Sequence, residues 1–142
     1  MSLQNIRDGL YTTLYTWGPF AASEISTCAY DVLETANTCA IVFLPGETTF
    51  EPLTYGASAT DQQTWGIDGE IYIKDTGDPK MLSARVWQAH DDFYDTVRKD
   101  RSLDGTAQFG RLTRMAFSPF LFEAGGQGWA RIEWTVEVLT YG

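Results

Sequence analysis

The residues of this chain that could do acid–base chemistry gather in one short stretch. His90 is the only histidine, and Asp91, Asp92 and Asp95 follow it. An imidazole beside a carboxylate can act as a general base, and clustered carboxylates can hold a hard cation. Adjacent residues of a helix point in different directions, however, so these side chains are not expected to form a relay. Their spacing also differs from that of a calcium-binding loop. We interpret the stretch as a solvated helix face without a catalytic residue or a metal ligand.

The other candidate motifs also have simpler interpretations. The run EAGGQGW, residues 123–129, lacks the strand–loop–helix context and the lysine of a phosphate-binding loop, so a hairpin turn is predicted. The stretch YGAS contains no nucleophile elbow. Cys28 and Cys39 do not have the spacing of a zinc or redox motif, and we expect buried free thiols. The sequence therefore predicts no enzyme, no metal site and no cofactor.

Length and charge narrow the class of protein. The chain has 142 residues, which predicts one domain spanning residues 1–142, and its net charge is −9. An acidic protein repels phosphates, so binding to nucleic acid or to an acidic membrane surface is disfavoured. We expect neither a secretory signal nor a membrane-spanning segment, and the chain is predicted to be cytosolic when synthesised.

Two segments have helical periodicity. Leu3, Ile6, Leu10, Leu14 and Trp17 recur at intervals of three or four residues, after Ser2 as N-cap and before Gly18-Pro19. The second helix begins at Asp78-Pro79, and its predicted buried stripe consists of Leu82, Val86, Ala89, Phe93 and Val97. Leu103 is predicted to close the end of the helix–sheet core before a tight turn at Asp104-Gly105.

Four segments are predicted to be strands, and one of them is TAQFGRLTRMAFSPF, residues 106–120, which follows the turn at Asp104-Gly105. The apolar run Cys39–Leu44 is predicted to be a strand ended by Pro45-Gly46, and residues 47–63 to be a long loop or an extended hairpin. In TWGIDGEIYIKD the side chains alternate between a core face and a face that is wet or shared with a partner. The C-terminal run ARIEWTVEVL alternates in the same way. The fold class predicted is α+β, a mostly antiparallel sheet with two helices packed on one face and a long loop or hairpin arm.

The aromatic residues fall into two groups. Four are expected to fill the core: Trp65, Trp87, Phe93 and Trp134. Four others lie in segments rich in glycine, proline and acid: Phe50, Tyr55, Phe120 and Phe122. Exposed aromatic side chains of this second kind are typical of contacts with another protein, and local packing is the alternative.

The order of these elements resembles a known family. The stretches AIVFLPG, TWGIDGEIYI, FYDTVRKDRSLDGTAQFGRL and ARIEWTVEVLTYG are similar in order and spacing to those of the tail terminator (tail-completion) proteins of long, non-contractile-tailed bacteriophages. The turn RSLDG after the second helix is the most telling piece, and the resemblance covers nearly the whole chain. Head-proximal neck proteins and tail tube subunits share much of this layout.

The resemblance implies a structural function in the virion. Such proteins form a ring, expected to be a hexamer, that caps the tail tube, ends its polymerisation and provides the surface for the head–tail connector protein. The expected partners are therefore copies of the chain, the tail tube protein and the connector, and the genome DNA passes through without specific binding. The expected location is the tail or neck of the virion, after assembly in the host cytoplasm.

On this interpretation two sets of residues are candidates for contacts. The segment Glu47–Gln63 is the predicted docking arm, with four interface candidates: Glu47, Phe50, Glu51 and Tyr55. Four outward-facing acids are candidates for the ring lumen or for an interface, with ordinary solubility as the alternative: Asp68, Glu70, Glu133 and Glu137. An acidic lumen would repel DNA and keep it sliding.

Two other functions stay open at this point. The first is a neck or connector (head-completion) protein closer to the head. The second is a monomeric binding module or small enzyme that uses residues 46–63 as a lid over a pocket.

Overall fold

A single sheet organises the described part of the chain. The computed structural model describes residues 2–26, 39–53, 56, 61–105, 109–124 and 126–141. The elements are helices α1 (Leu3–Trp17) and α2 (Pro79–Lys99) and strands β1 (Ile25–Ser26), β2 (Cys39–Pro52), β3 (Asp61–Lys74), β4 (Phe109–Ala124) and β5 (Gln127–Tyr141). The strand order is β1-β2-β3-β5-β4, and only the short β1–β2 pair is parallel. This architecture confirms the predicted α+β class.

Both helices pack on the same face of the sheet. Each begins at a side-chain cap, since Ser2 Oγ accepts the Asn5 N–H and Asp78 Oδ1 accepts the N–H groups of Lys80 and Met81. One apolar cluster joins the helices to the sheet and includes Ile6, Leu10, Leu14, Phe93, Val97, Ile71, Ile132, Trp134 and Val136. Trp17 is an exception to the predicted α1 stripe, because it lies at the helix end and is 53% exposed.

The segment from Pro45 to Gln63 is part of an extended hairpin. The strand predicted to end at Pro45-Gly46 continues to Pro52, and its pairing with β3 extends to Pro52 opposite Asp61. The register shifts between Pro45 and Thr48, which is the position of a bulge. Proline is tolerated here because β1 pairs with β2 only at Ile41 and Val42, so Pro45 lies where β2 is an edge strand. Of the two alternatives for this segment, the hairpin is therefore the correct one.

The second face of the sheet, predicted to be wet or shared with a partner, is partly buried within the chain itself. Ala40, Val42, Tyr72 and Trp129 form a small apolar cluster there, and Phe122 packs against it with its ring centroid 5.1 Å from that of Tyr72. Alternation alone did not indicate this cluster, because a tyrosine on a polar face is usually placed in solvent. The side chain of Phe120 lies outside the described residues.

The turn after α2 has the predicted position and an unusual backbone. Leu103 is fully buried, and residues 103–105 all have positive φ, with values of 48° for Leu103, 59° for Asp104 and 77° for Gly105. The Asp100 carboxylate holds the turn by accepting the Asp104 N–H at 2.8 Å and the Ser102 hydroxyl at 2.6 Å. The buried leucine thereby closes the end of the core, as predicted.

Candidate functional site

The distal part of the β2–β3 hairpin, residues 48–53 and 61–65, is here called the arm. β2 is buried from Ala40 to Phe43, whereas Thr49 to Pro52 are exposed. Phe50 is 60% exposed although its ring packs edge-on against Trp65, at a centroid distance of 6.0 Å. The β2 half of the arm is therefore exposed and carries an aromatic side chain that is available for contact, whereas the β3 half remains in the sheet, paired with β5.

The four predicted interface residues have different surroundings. Phe50 and Glu51 are exposed on the arm, and Glu47 is exposed in the bulge at its base. Tyr55 lies outside the described residues. Between positions 45 and 66 the chain has three acidic residues, Glu47, Glu51 and Asp61, and no basic one. The arm is thus both aromatic and acidic.

The predicted lumen acids lie on the sheet face opposite the helices, and arginines accompany them. Arg111 lies 3.5 Å from Glu137, Arg114 lies 3.3 Å from Glu133, and Arg131 lies 3.5 Å from Glu70. Asp68 instead accepts a hydrogen bond of 2.8 Å from the Thr135 hydroxyl. The sequence pattern did not indicate this pairing, because it depends on the register of β4 against β5 and of β5 against β3.

Glu70 is the one acid of this set that is buried. Its carboxylate accepts a hydrogen bond from the Tyr72 hydroxyl and lies beside Arg131. Burial alone would lower the pKa of Arg131, but the charge of Glu70 and the contact with Tyr72 raise it. Arg131 therefore stays charged and neutralises a carboxylate that would be costly to bury alone.

The acid–base stretch of α2 forms one contact that was not expected. His90 Nδ1 lies 3.2 Å from Asp91 Oδ1, so the two adjacent side chains do meet, at the exposed surface. Among the described residues, His90 forms no hydrogen bond with a serine, threonine or cysteine side chain that could act as a nucleophile. Among the described residues no group of three or more His, Cys, Asp or Glu side chains is placed to hold a metal ion.

An apolar groove between α2 and β4 was missed by the sequence analysis. Trp87, predicted to fill the core, is 72% exposed at the rim of this groove, and Phe117 and Leu121 of β4 are also exposed. The groove has a volume of about 510 Å³. The exposure of Trp87 could have been predicted from helical geometry. Trp87 follows Val86, and successive residues of a helix are about 100° apart, so Trp87 points away from the buried stripe.

Cys39 is a free thiol, as predicted, and Cys28 lies outside the described residues. Burial, and secondarily the charges of Glu24 and Asp92, raise the pKa of the Cys39 thiol to about 12. The thiolate is the reactive form of cysteine, so this thiol is inert near neutral pH. In the described part of the chain, neither helix has the length and apolar character needed to cross a membrane.

Comparisons with known proteins add no identification. No family model matches the chain, and no curated protein matches it.

Proposed function

We propose that the chain is a structural subunit of a long-tailed bacteriophage that forms a ring on the tail tube, ends tail polymerisation and provides the surface for head joining. The observation that supports this function best is the arm, whose β2 half lies at the edge of the sheet and exposes Phe50 beside acidic side chains. An exposed edge segment of this kind is suited to contact between subunits, since exposed aromatic residues are enriched in such interfaces. The resemblance in element order supports the specific assignment to the tail terminator family.

The polar residues of the structure also fit a structural function better than catalysis. His90 has an exposed contact with Asp91, and among the described residues it forms no hydrogen bond with a serine, threonine or cysteine side chain. The strongest polar network, Tyr72–Glu70–Arg131, joins neighbouring strands of the sheet and leaves Glu70 largely buried. Its residues are thus suited to holding strands together, and we propose no catalytic residue and no cofactor.

In the proposed ring, the charged sheet face is the candidate lining of the passage. Its acids are Asp68, Glu70, Glu133 and Glu137, and its bases are Arg111, Arg114 and Arg131. Four negative and three positive charges leave a local net charge of −1. Such a surface would neither hold DNA phosphates nor repel them strongly, because most of its charges are already paired. Passage of DNA without specific binding is consistent with this balance.

The test of the proposed function is carried out in the phage that encodes the chain. We expect the double variant Phe50→Ala, Tyr55→Ala to fold normally but to give tails of irregular length or tails without heads. Trp17→Ala is the matched control, since Trp17 is a comparably exposed aromatic residue at the end of α1. Electron microscopy of the particles measures tail length and the fraction of tails joined to heads.

The outcomes separate the two virion assignments. Tails of irregular length support a terminator, whereas normal unjoined tails favour a neck or connector protein. If the double variant gives tails of normal length that join heads normally, the arm has no part in assembly. If deletion of the gene itself leaves normal particles, the proposed function is wrong.

A further inference from the structure

The groove between α2 and β4 presents an apolar surface that the proposed function has not used. The walls are side chains of α2, including Val86 and Trp87, and of β4, including Phe117 and Leu121, above a floor of Ala130 and Ile132. Trp87, Phe117 and Leu121 are each about half exposed or more. Tryptophan at the rim of an apolar groove is typical of sites where a partner inserts a side chain.

The strand beside the groove is an edge of the sheet. In the strand order β1-β2-β3-β5-β4, β4 pairs only with β5 among the described strands, so its outer edge has backbone groups for a further partner. At the opposite side of the sheet, β1 pairs with only two residues of β2, and the arm lies beyond them. The arm and the β4 edge are therefore at opposite ends of one subunit, as a head-to-tail contact between copies requires.

The two ends also carry opposite charge. The segment 45–66 that contains the arm has Glu47, Glu51 and Asp61 and no base. From position 109 to 122 β4 has Arg111 and Arg114 and no acid. The side chains of Arg111 and Arg114 remain 60% and 56% exposed in their pairs with β5. The protein has a net charge of −9, so the positive charge on this part of β4 is opposite in sign to that of the whole chain. A positively charged edge favours an acidic partner.

Because side chains alternate along a strand, the arm and β4 complement each other on both faces of the sheet. On the arm, Phe50 lies opposite Gln63 and shares the helix-bearing face with Trp65, whereas Glu51 lies on the other face. On β4, Phe117 lines the groove on the helix-bearing face, whereas Arg111 and Arg114 pair with acids on the other face. When two copies are placed side by side with their helices on the same side, aromatic residues meet the apolar groove and acids meet arginines.

We propose that the groove and the outer edge of β4 receive the arm of a second copy of this chain, with Phe50 entering the groove beside Trp87 and Glu51 facing Arg114, the nearer of the two arginines. This inference rests on the proposed function, since it names the contact by which the ring would close. The contact is heterologous, so each copy uses its arm on one neighbour and its groove on the other.

The test uses two variants of the full chain and their mixture. Phe50→Ala removes the anchor of the arm but leaves the groove, and Trp87→Ala alters the groove but leaves the arm. We expect wild-type chain to associate, each variant alone to associate at least tenfold more weakly, and the equimolar mixture to form dimers that grow no further. The intact arm of the Trp87→Ala copy can bind the intact groove of the Phe50→Ala copy, and no other good contact remains. Sedimentation velocity and native mass spectrometry measure the species.

Controls separate the contact from effects on folding. Both altered residues are exposed, and circular dichroism melting curves are expected to match that of wild type. Trp17→Ala, which removes an exposed tryptophan outside the arm and the groove, is expected to associate as wild type does. A charge exchange gives a second measurement, in which Glu51→Arg weakens association and Glu51→Arg mixed with Arg111→Glu, Arg114→Glu restores growth beyond the dimer, because both contacts between unlike copies are then complementary.

Several results would overturn the proposed contact. The contact is wrong if the wild-type chain stays monomeric at every concentration. It is also wrong if neither variant weakens the association, or if the mixture of variants forms no dimers. Tail length in the phage is measured separately, so the contact can fail while the capping function stands. If the chain associates through this contact but deletion of its gene leaves normal particles, the contact is supported and the proposed function is contradicted. Binding of a small apolar probe with no effect of Trp87→Ala on association would indicate a ligand pocket.

Discussion

At the scale of single residues, Trp134 connects the two layers of the fold. Its ring lies edge-on to Phe43 at a centroid distance of 5.4 Å and at 4.8 Å from Phe93 of α2. Gly69 lies directly beneath it, since a Cβ added there would come within 2.2 Å of the Trp134 ring. The glycine thus allows the large ring to approach the sheet, and the ring then forms the platform for the helix.

The first prediction concerns the burial of this ring. Trp134→Ala is expected to lower the free energy of unfolding by about 3–5 kcal/mol, because it removes a buried aromatic side chain and leaves a cavity. Trp134→Phe keeps much of the ring and removes an indole N–H that has no hydrogen-bond partner among the described residues, so a clearly smaller loss is expected. Trp87→Ala is the exposed control. Urea unfolding measures all three, and equal losses for Trp134→Ala and Trp87→Ala would contradict this account.

The second prediction concerns Asp100. Burial alone would raise the pKa of this carboxyl, but hydrogen bonds from Ser102, the Asp104 N–H and the Thr13 hydroxyl outweigh it and lower the pKa. A folded-state pKa below the unfolded value of about 3.9 gives stability that is present above that pH. This stability is lost as the pH falls through the folded-state pKa.

The pH dependence of unfolding checks the Asp100 prediction. Asp100→Asn is expected to be less stable than wild type near pH 7, and the difference is expected to shrink below about pH 4. Thr13→Val removes one of the donors and is expected to cause a smaller loss in the same direction. A difference between wild type and Asp100→Asn that stays constant down to acid pH would show that the ionised carboxylate does not stabilise the turn.

The third prediction concerns Gly105, which ends the left-handed turn. Its φ of 77° is unfavourable for residues with a Cβ, although the space around that position is open. Gly105→Ala is therefore expected to cost about 1–2 kcal/mol through backbone conformation alone. Gly56→Ala is not a suitable comparison because Gly56 lies between the two strand segments of the arm, whereas Gly77 has a similar φ of 79° and open space around it. Thermal unfolding is expected to show comparable losses for Gly105→Ala and Gly77→Ala.

At the scale of elements, the bulge at the base of the arm depends on two facing glycines. A Cβ at Gly66 would lie 2.5 Å from the Glu47 carbonyl oxygen, and a Cβ at Gly46 would lie 2.8 Å from the Gly66 backbone. Close backbone approach across the hairpin is therefore possible only without side chains at these positions. Sequence analysis interpreted Pro45-Gly46 as a strand end, because the pair is typical of one and its partner on β3 could not be identified locally.

The fourth prediction concerns the geometry of the arm. Gly66→Ala is expected to displace the backbone of Glu47 and to weaken pairing beyond the bulge, while the core half of the hairpin remains paired. Hydrogen exchange measured residue by residue is expected to show faster exchange at Thr48–Glu51 and unchanged protection at Ala40–Phe43. Equal loss of protection in both halves would show that the bulge is not a boundary between them.

Sequence patterns identified the helices, their caps and the buried face of the long strands, because these features depend on residues close in sequence. The exposed position of Trp87 and the ion pairs of Arg111 and Arg114 could not be predicted. They depend on which strand lies at the edge and on how β4 meets α2, and these are relations between distant segments. The predicted lumen acids illustrate the difference, since their face of the sheet was predicted correctly whereas their arginine partners were not.

At the scale of the whole molecule, charge is unevenly distributed. The acidic residues of the arm and the arginines of β4 lie at opposite ends of the sheet, so the subunit has a charge asymmetry along the direction of the proposed contact. Attraction between such ends is expected to depend on ionic strength, because exposed charges are screened beyond about 3 Å at 1 M salt.

The fifth prediction follows from this asymmetry. Raising the salt concentration from about 0.05 M to about 1 M is expected to weaken self-association by about 0.4–2 kcal/mol, the range for two exposed ion pairs. The Arg111→Glu, Arg114→Glu variant is expected to associate weakly at low salt and to be less impaired at high salt. Sedimentation equilibrium measures both, and association that strengthens with salt in wild type would indicate a mainly apolar contact.

Pro119 of β4 has a consequence for the behaviour of the protein at high concentration. A long open strand can recruit further strands without limit, which is the first step toward amyloid fibrils. Proline has no N–H to donate, and the pairing of β4 with β5 is interrupted between Ser118 and Phe122, so regular hydrogen bonding cannot continue along the whole strand. Pro119→Val would therefore be expected to increase thioflavin-positive deposits during storage, even where the folded subunit is equally stable.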